Sequence, residues 1–346
     1  MTTVADSGDS LGRRLERYLS SLWNDDVRVA NLSRIPGGAS RETYRFDAAT
    51  KGGVRGLILR RDPVGSLIDT DRRVEFLAYQ SFHGVVPVPE PIVLEEKEGG
   101  LLQRPFFIMA RIDGGAAASP FAPSPYGEHA HAIGQTLFAI LGRIARTDTV
   151  ALPLARCFAR ADPSVCWSNA LDEWEAIILR DERHPQPIVR AAMRRLRRNP
   201  PPPAARISVV HGDYRSGNFL HDGKGQILVV LDWEMVHLGD PLEDLAWCCD
   251  PLWNHFDPTR VAGTISEAEA IAIWERVSGL KADRDALKWW KLFSAVKGQA
   301  IWTTAAKEFT VDNTNLSLAI SGLYPARRHD RVMADTLERL VEEGWA

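Results

Sequence analysis

The sequence predicts an α+β protein of two lobes, a small antiparallel-sheet lobe at residues 1–113 and a larger, mainly helical lobe at 114–346. Three observations predict it. Short alternating apolar runs are concentrated in the N-terminal third. A stretch rich in Gly, Ala, Ser and Pro at 114–127 then reads as a linker. Beyond it apolar residues recur at helical spacing, interrupted by one pair of strands. The 346 residues also exceed the ~250–300 at which a single core stops growing.

The elements follow in order. Residues 11–23 place Leu11, Leu15, Tyr18, Leu19 and Leu22 on one helical face. Residues 27–35, 42–46 and 57–59 read as strands of an antiparallel meander. Residues 69–83 read as a helix opened by Asp69 or Thr70 as N-cap. VVPVPEP at 85–91 is a proline-stiffened turn, and LQRPFFIMARID at 102–113 a final strand. Past the linker, periodic Trp-rich stretches at 128–147, 168–198, 266–278 and 284–307 predict helices. Between them, after PPPP at 200–203, two apolar strands enclose polar loops from 207 to 234.

Composition excludes several classes. Lys plus Arg number 42 against 45 Asp plus Glu, a net charge of -3, whereas a general nucleic-acid binder carries a basic excess. The five arginines in 190–198 read as the solvated face of an amphipathic helix. Four cysteines, with Cys248 and Cys249 adjacent and no CxxC pair, support neither a disulfide scaffold nor a zinc site. The first ten residues lack a signal peptide's basic start and apolar centre. No apolar run reaches the ~18–20 residues of a membrane span. A cytoplasmic protein, with no membrane or nucleic-acid partner, is expected.

The chemistry is carried by HGDYRSGN at 211–218 and VVLDWE at 229–234. Each follows or ends an apolar strand. Asp213 and Asn218 are five residues apart, and Asp232 lies fourteen beyond Asn218. Phosphoryl transfer from a nucleotide needs a carboxylate beside the attacking hydroxyl and oxygen ligands for magnesium. The protein-kinase catalytic loop supplies these parts at the same Asp-to-Asn spacing.

HGDYRSGN with LDWE, and GDPLEDLAW at 239–247, resemble the aminoglycoside phosphotransferase family, small-molecule kinases of protein-kinase-like bilobal fold. The G-G-A-S and L-R-R strings are most similar to the subset related to the phosphotransferase part of acyl-CoA dehydrogenase fusion proteins. The resemblance implies ATP and Mg2+ as cofactors and a small-molecule hydroxyl as acceptor. It implies Asp213 as catalytic base, Asn218 and Asp232 as magnesium ligands, His211 as a buttress of the loop, and Asp240 as the carboxylate holding the loop's amides.

For the first lobe the resemblance implies nucleotide binding beneath residues 36–41, with Gly37 and Gly38 admitting phosphates to the backbone and Ser40 donating to them. Arg60 stands where the usual pattern has a strand lysine. Its planar fork can clamp phosphates, and Arg61 takes the role if the strand register slips by one. Glu75 is its helix partner. Backbone groups around Met109 to Arg111 would take the adenine edge, with Met109 or Ile108 against its face.

The acceptor is expected to be neutral or anionic, such as a hydroxy acid or its thioester. Residues 251–346 hold 13 Asp plus Glu against 12 Lys plus Arg, with no dense acidic cluster for a polycation. They hold Trp253, Trp274, Trp289, Trp290 and Trp302 instead, suited to ring or apolar contacts where they face a cavity and to the core where they do not. An aminoglycoside kinase, a GTP-dependent enzyme and a nucleotide-binding pseudokinase are the alternatives; Arg60 favours the last.

Overall fold

Leu11, Leu15 and Leu19 recur every four residues and build helix α1 (Gly8–Trp23), each 1% exposed or less. The computed structural model describes residues 8–35, 42–62, 71–119, 122–311 and 316–345. The chain divides into two units, Met1–Gly115 and Ala116–Ala346. In the first, α1 lays this stripe on Phe46, Leu57, Leu59, Phe106 and Ile108 of a sheet. Burying each such side chain contributes about 2 kcal/mol. Tyr18 packs edge-on against Phe106 at 5.0 Å. Leu22, expected on the same face, is 45% exposed, and Trp23 packs against the core in its place.

The sheet comprises β1 (Arg28–Ile35), β2 (Glu42–Thr50) and β3 (Gly53–Arg61). After helix α2 (Arg72–Phe82) it continues with β4 (Pro91–Glu95) and β5 (Phe106–Ala110). Its order is β1-β2-β3-β5-β4, antiparallel throughout. It is therefore not a simple meander, since β5 inserts between β3 and β4. The proline-rich turn hides the start of β4: Pro91 opens an edge strand, where a missing N–H disrupts no inner ladder. The N-cap of α2 is Asp71, whose side chain accepts from the Arg73 amide at 2.8 Å; Asp69 and Thr70 lie outside the described residues.

In the second unit the expected linker contributes β6 (Ala116–Ala117). Helices α3 (Ala130–Arg146), α4 (Cys166–Asp181) and α5 (Pro187–Arg198) follow. The stretch 168–198 is thus two helices, broken where Pro187 starts a new first turn. The arginines of α5 form its solvent face as expected, with Arg194, Arg197 and Arg198 exposed, Arg190 pairing with Glu182 and Arg197 with Asp172 and Glu175.

Strands β7 (Ser208–Val210), β8 (Phe219–His221), β9 (Ile227–Val230) and β10 (His237–Gly239) come next. β7 pairs with β10, while β8 lies between β6 and β9. Helices α6 (Leu242–Cys248), α7 (Glu267–Ser278), α8 (Arg284–Val311) and α9 (Leu316–Glu342) complete the chain. α9 was not anticipated, and it carries Pro325 in its interior. It meets α8 closely at Gly298, where an added Cβ would fall 2.1 Å from the His329 ring. Trp274, Trp289 and Trp290 are core residues, and Trp253 and Trp302 are less than a tenth exposed. No described helix is long and apolar enough to cross a membrane.

Candidate active site

Strand β7 ends directly in His211, Gly212 and Asp213. Gly212 sits at φ 84, and a Cβ there would lie 2.2 Å from the Met235 carbonyl oxygen, so only glycine fits. His211 is fully buried and stitches the two motif loops together. Its Nε2–H donates to Leu231 O at 3.0 Å, and its Nδ1 accepts from the Asp213 amide at 3.2 Å. One neutral tautomer satisfies both bonds. Burial pushes its pKa down to about 4, which keeps that tautomer neutral at physiological pH.

The carboxylate that holds this loop is Asp244, not Asp240. Asp244 Oδ2 accepts from the His211 amide at 2.6 Å and its Oδ1 from the Gly212 amide at 3.0 Å. Burial pushes its carboxyl up to about 6. Asp240 turns instead to the start of α6, accepting from the Leu242 amide at 2.9 Å and from the Trp290 indole at 3.0 Å. The two acids are four residues apart across a helix start, so spacing alone could not separate their roles.

Asp213 gathers three donors. Arg215 Nε lies 2.9 and 3.1 Å from its two oxygens. Trp247 Nε1 donates to Oδ1 at 2.8 Å, and Asn218 Nδ2 to Oδ2 at 2.6 Å. Asn218 Nδ2 also donates to the Asp213 carbonyl at 2.9 Å, so its amide oxygen is the atom left for another partner. The Asn218 carbonyl accepts from the Leu231 amide at 2.8 Å, which brings the second loop alongside. Asp232 follows at once, in the left-handed conformation at φ 68, ψ 55. That conformation costs about 1–3 kcal/mol and persists only where neighbours over-determine it. Here Leu231 is bonded on both sides, and Trp233 is fully buried against the His211 ring, 4.5 Å away. An Asn amide oxygen and an Asp carboxylate are hard oxygen donors of the kind magnesium takes beside phosphate. Among the described residues no group of three or more His, Cys, Asp or Glu is arranged to hold a metal.

In the first unit, Arg60 and Arg61 of β3 point to different partners. Arg60 Nη2 lies 3.2 Å from Glu75 Oε1, with Glu75 buried in α2. Arg61, 1% exposed, pairs with Glu42 at 2.9 Å and packs over Tyr44. Met109 lies within β5, 5% exposed, opposite Ile58 and Pro91. The Arg111 amide donates to Gly56 O at 2.9 Å, and its guanidinium reaches Asp47 at 2.6 Å and Asp113 at 2.7 Å. Gly37, Gly38 and Ser40 lie outside the described residues.

Three neighbours of Asp213 escaped the sequence reading. Arg215 stood inside the HGDYRSGN string, and Trp247 closed GDPLEDLAW beside Asp244; either could have been singled out there. Lys297, near the middle of α8, carried no signal at all. Arg215 also places its guanidinium 4.7 Å from the Trp253 ring centroid, so Trp253 packs one layer behind the Asp213 carboxylate.

Known proteins share this architecture. The profile of the phosphotransferase enzyme family APH matches residues 31–280. Mouse acyl-CoA dehydrogenase family member 10 is 30% identical over 243 residues, which cover 68% of this chain and 22% of that protein. The curated relatives named here are longer proteins: the chain covers 37% of human acyl-CoA dehydrogenase family member 11, at 23% identity over 299 residues. Among solved structures, a Ralstonia eutropha protein with a provisional aminoglycoside phosphotransferase assignment superposes with TM-score 0.74 at 21% identity, covering 94% of this chain and 98% of that one. A thermostable mutant of aminoglycoside phosphotransferase APH(4)-Ia, in ternary complex with AMP-PNP and hygromycin B, superposes with TM-score 0.59 at 17% identity, covering 93% and 98%. The structural likenesses carry the protein-kinase-like fold, and the profile covers well over half of the sequence. The chain belongs to the APH phosphotransferase enzyme family.

Proposed function

We propose that this chain uses Mg-ATP to phosphorylate a hydroxyl group of a small neutral or anionic metabolite, of the class of hydroxy acids or their thioesters. The observation that carries the transfer chemistry is the Asp213 carboxylate, held by Arg215, Trp247 and Asn218 at the end of a buried strand. Three donors hold the carboxylate aimed. It orients the acceptor hydroxyl and takes its proton as the oxygen bonds to the γ-phosphorus and the bond to the β-phosphate oxygen breaks, releasing ADP. Asn218, through its amide oxygen, and Asp232 are the magnesium ligands. The metal, when bound, neutralises charge on the phosphates.

In the first unit Arg60, held by Glu75, is the cation for the nucleotide phosphates. Gly37, Gly38 and Ser40 cover them. Met109 and the backbone near Arg111 read the adenine, although the Arg111 amide is already engaged with Gly56. The complex of a relative with AMP-PNP supports ATP as donor. Two features support a non-cationic acceptor: the balanced charge of residues 251–346, and likeness to proteins named as acyl-CoA dehydrogenases. A panel of hydroxy acids, their CoA thioesters and aminoglycosides, with Mg-ATP and ADP release as readout, tests the proposal. Turnover of a hydroxy acid or thioester is expected. Efficient turnover of kanamycin alone overturns the acceptor class.

A further inference from the structure

One buried charge cluster in the second unit is not used by the chemistry above. Lys297 is 1% exposed, and its Nζ donates to Gly212 O at 2.5 Å and to Glu243 Oε1 at 2.7 Å. Glu243, also 1% exposed, receives His237 Nε2 on its other oxygen at 3.0 Å. The His237 Nδ1 faces Met235 O at 3.0 Å. Both ring nitrogens face acceptors, so both donate. Burial opposes charging that ring, but the Glu243 carboxylate outweighs it and raises the pKa. The Lys297 ammonium also lies 5.6 Å from the Trp174 ring centroid and 5.4 Å from that of Trp247, whose indole N–H is bonded to Asp213.

We infer that Lys297, anchored by Glu243 and His237, is a positioning residue that sets the plane of the Gly212–Asp213 peptide and through it the Asp213 carboxylate. The inference rests on Asp213 being the catalytic base. A peptide unit is rigid, so its two ends fix it. Lys297 holds its carbonyl oxygen at 2.5 Å, and His211 Nδ1 accepts from its N–H at 3.2 Å. Gly212 is required by the close approach of Met235 O, yet glycine supplies no side-chain restraint on its own torsions. The partners must supply the restraint instead. A turn of the peptide plane is carried into the carboxylate oxygens, and catalytic groups must be held within about 0.5 Å. A purely structural role needs no charge here, because well-packed apolar residues replace buried ion pairs with little or no loss of stability. Charge retained at this point, pressed on the carbonyl next to the base, fits the aiming of that base.

The test uses the full chain and the double variant Lys297→Met/Glu243→Gln, which removes both buried charges together. Its melting temperature is compared with three readouts. They are the Trp247 indole N–H resonance, assigned by its loss in Trp247→Phe, ADP release from Mg-ATP with water as acceptor, and Mg-ATP affinity by calorimetry. The folded double variant should show a displaced or broadened Trp247 resonance and at least about tenfold slower ADP release, with ATP affinity within about twofold. A folded variant with the wild-type Trp247 resonance and rate overturns the proposal. Should the double variant not fold, the same readouts are taken on Glu243→Gln, which removes the carboxylate that anchors Lys297. A displaced Trp247 resonance with slower ADP release then supports the proposal, and resonance and rate near wild type overturn it. Asp213→Asn, run alongside, separates the two readings. If it turns over at the wild-type rate, the base assignment fails and the positioning role with it. If it is inactive while the double variant is fully active, only the positioning role fails.

Discussion

Arg215 lays one N–H across both carboxylate oxygens of Asp213, at 2.9 and 3.1 Å, two residues along the same loop. The opposite face of its guanidinium environment is aromatic, the Trp253 ring lying 4.7 Å away. The Asp213 carboxylate is thus braced from its own loop by Arg215 and Asn218, and from α6 by Trp247.

With the Asp213 carboxylate as the proposed base, Asp213→Asn should lower phosphoryl transfer by ~10²–10⁴, the range for loss of a general base. Mg-ATP affinity by calorimetry should stay nearly intact, since the carboxylate acts on the acceptor. Turnover within a few-fold of wild type would sink the assignment.

Asp232→Ala should remove the magnesium dependence of ATP affinity, because the charged ligand of the phosphate-bound metal is lost. Titrating ATP with and without magnesium checks this. Unchanged Mg-ATP affinity would leave Asp232 as a strained structural residue.

The neighbouring arginines should separate cleanly. Arg60→Ala should weaken Mg-ATP binding by about tenfold or more, with Arg60→Lys keeping part of it. Arg61→Ala removes a buried partner of Glu42 and should cost ~3 kcal/mol of stability, read in a urea melt. The folded Arg61→Ala protein should bind ATP as wild type does; a large affinity loss there would move the clamp to Arg61.

For His211 the native pKa is about 4 against an ordinary 6.5. Between those values the unfolded chain binds a proton that the native state refuses, so this contribution to stability falls as the pH drops from 6.5 toward 4. The whole window is worth roughly 3 kcal/mol. Asp244, with its carboxyl raised to about 6, runs the other way as it protonates in the native state first. The comparison is therefore wild type against His211→Gln: the wild-type advantage should shrink by roughly 2–3 kcal/mol from pH 7 to pH 4. A pH-independent difference would place the titration elsewhere.

By itself the sequence determined the two-lobe α+β plan and the string that puts Asp213, Asn218 and Asp232 in adjoining loops. Those features are local: alternating strands, four-residue leucine spacing and motif residues within one strand–loop–strand stretch are all set by neighbours in the chain. The tertiary structure alone decided what depends on distant approach. It put β5 inside the sheet beside β3, leaving β4 at an edge that its prolines disguise. It sent Arg60 to Glu75 and Arg61 to Glu42, a choice that register makes and composition does not. It gave the loop amides to Asp244 instead of Asp240, because the turn of α6 aims one carboxylate at β7 and the other at its own N-terminus. And it carried Lys297 to Gly212 across 85 residues of sequence, a contact created by packing α8 beneath the loop and so without any trace in local pattern.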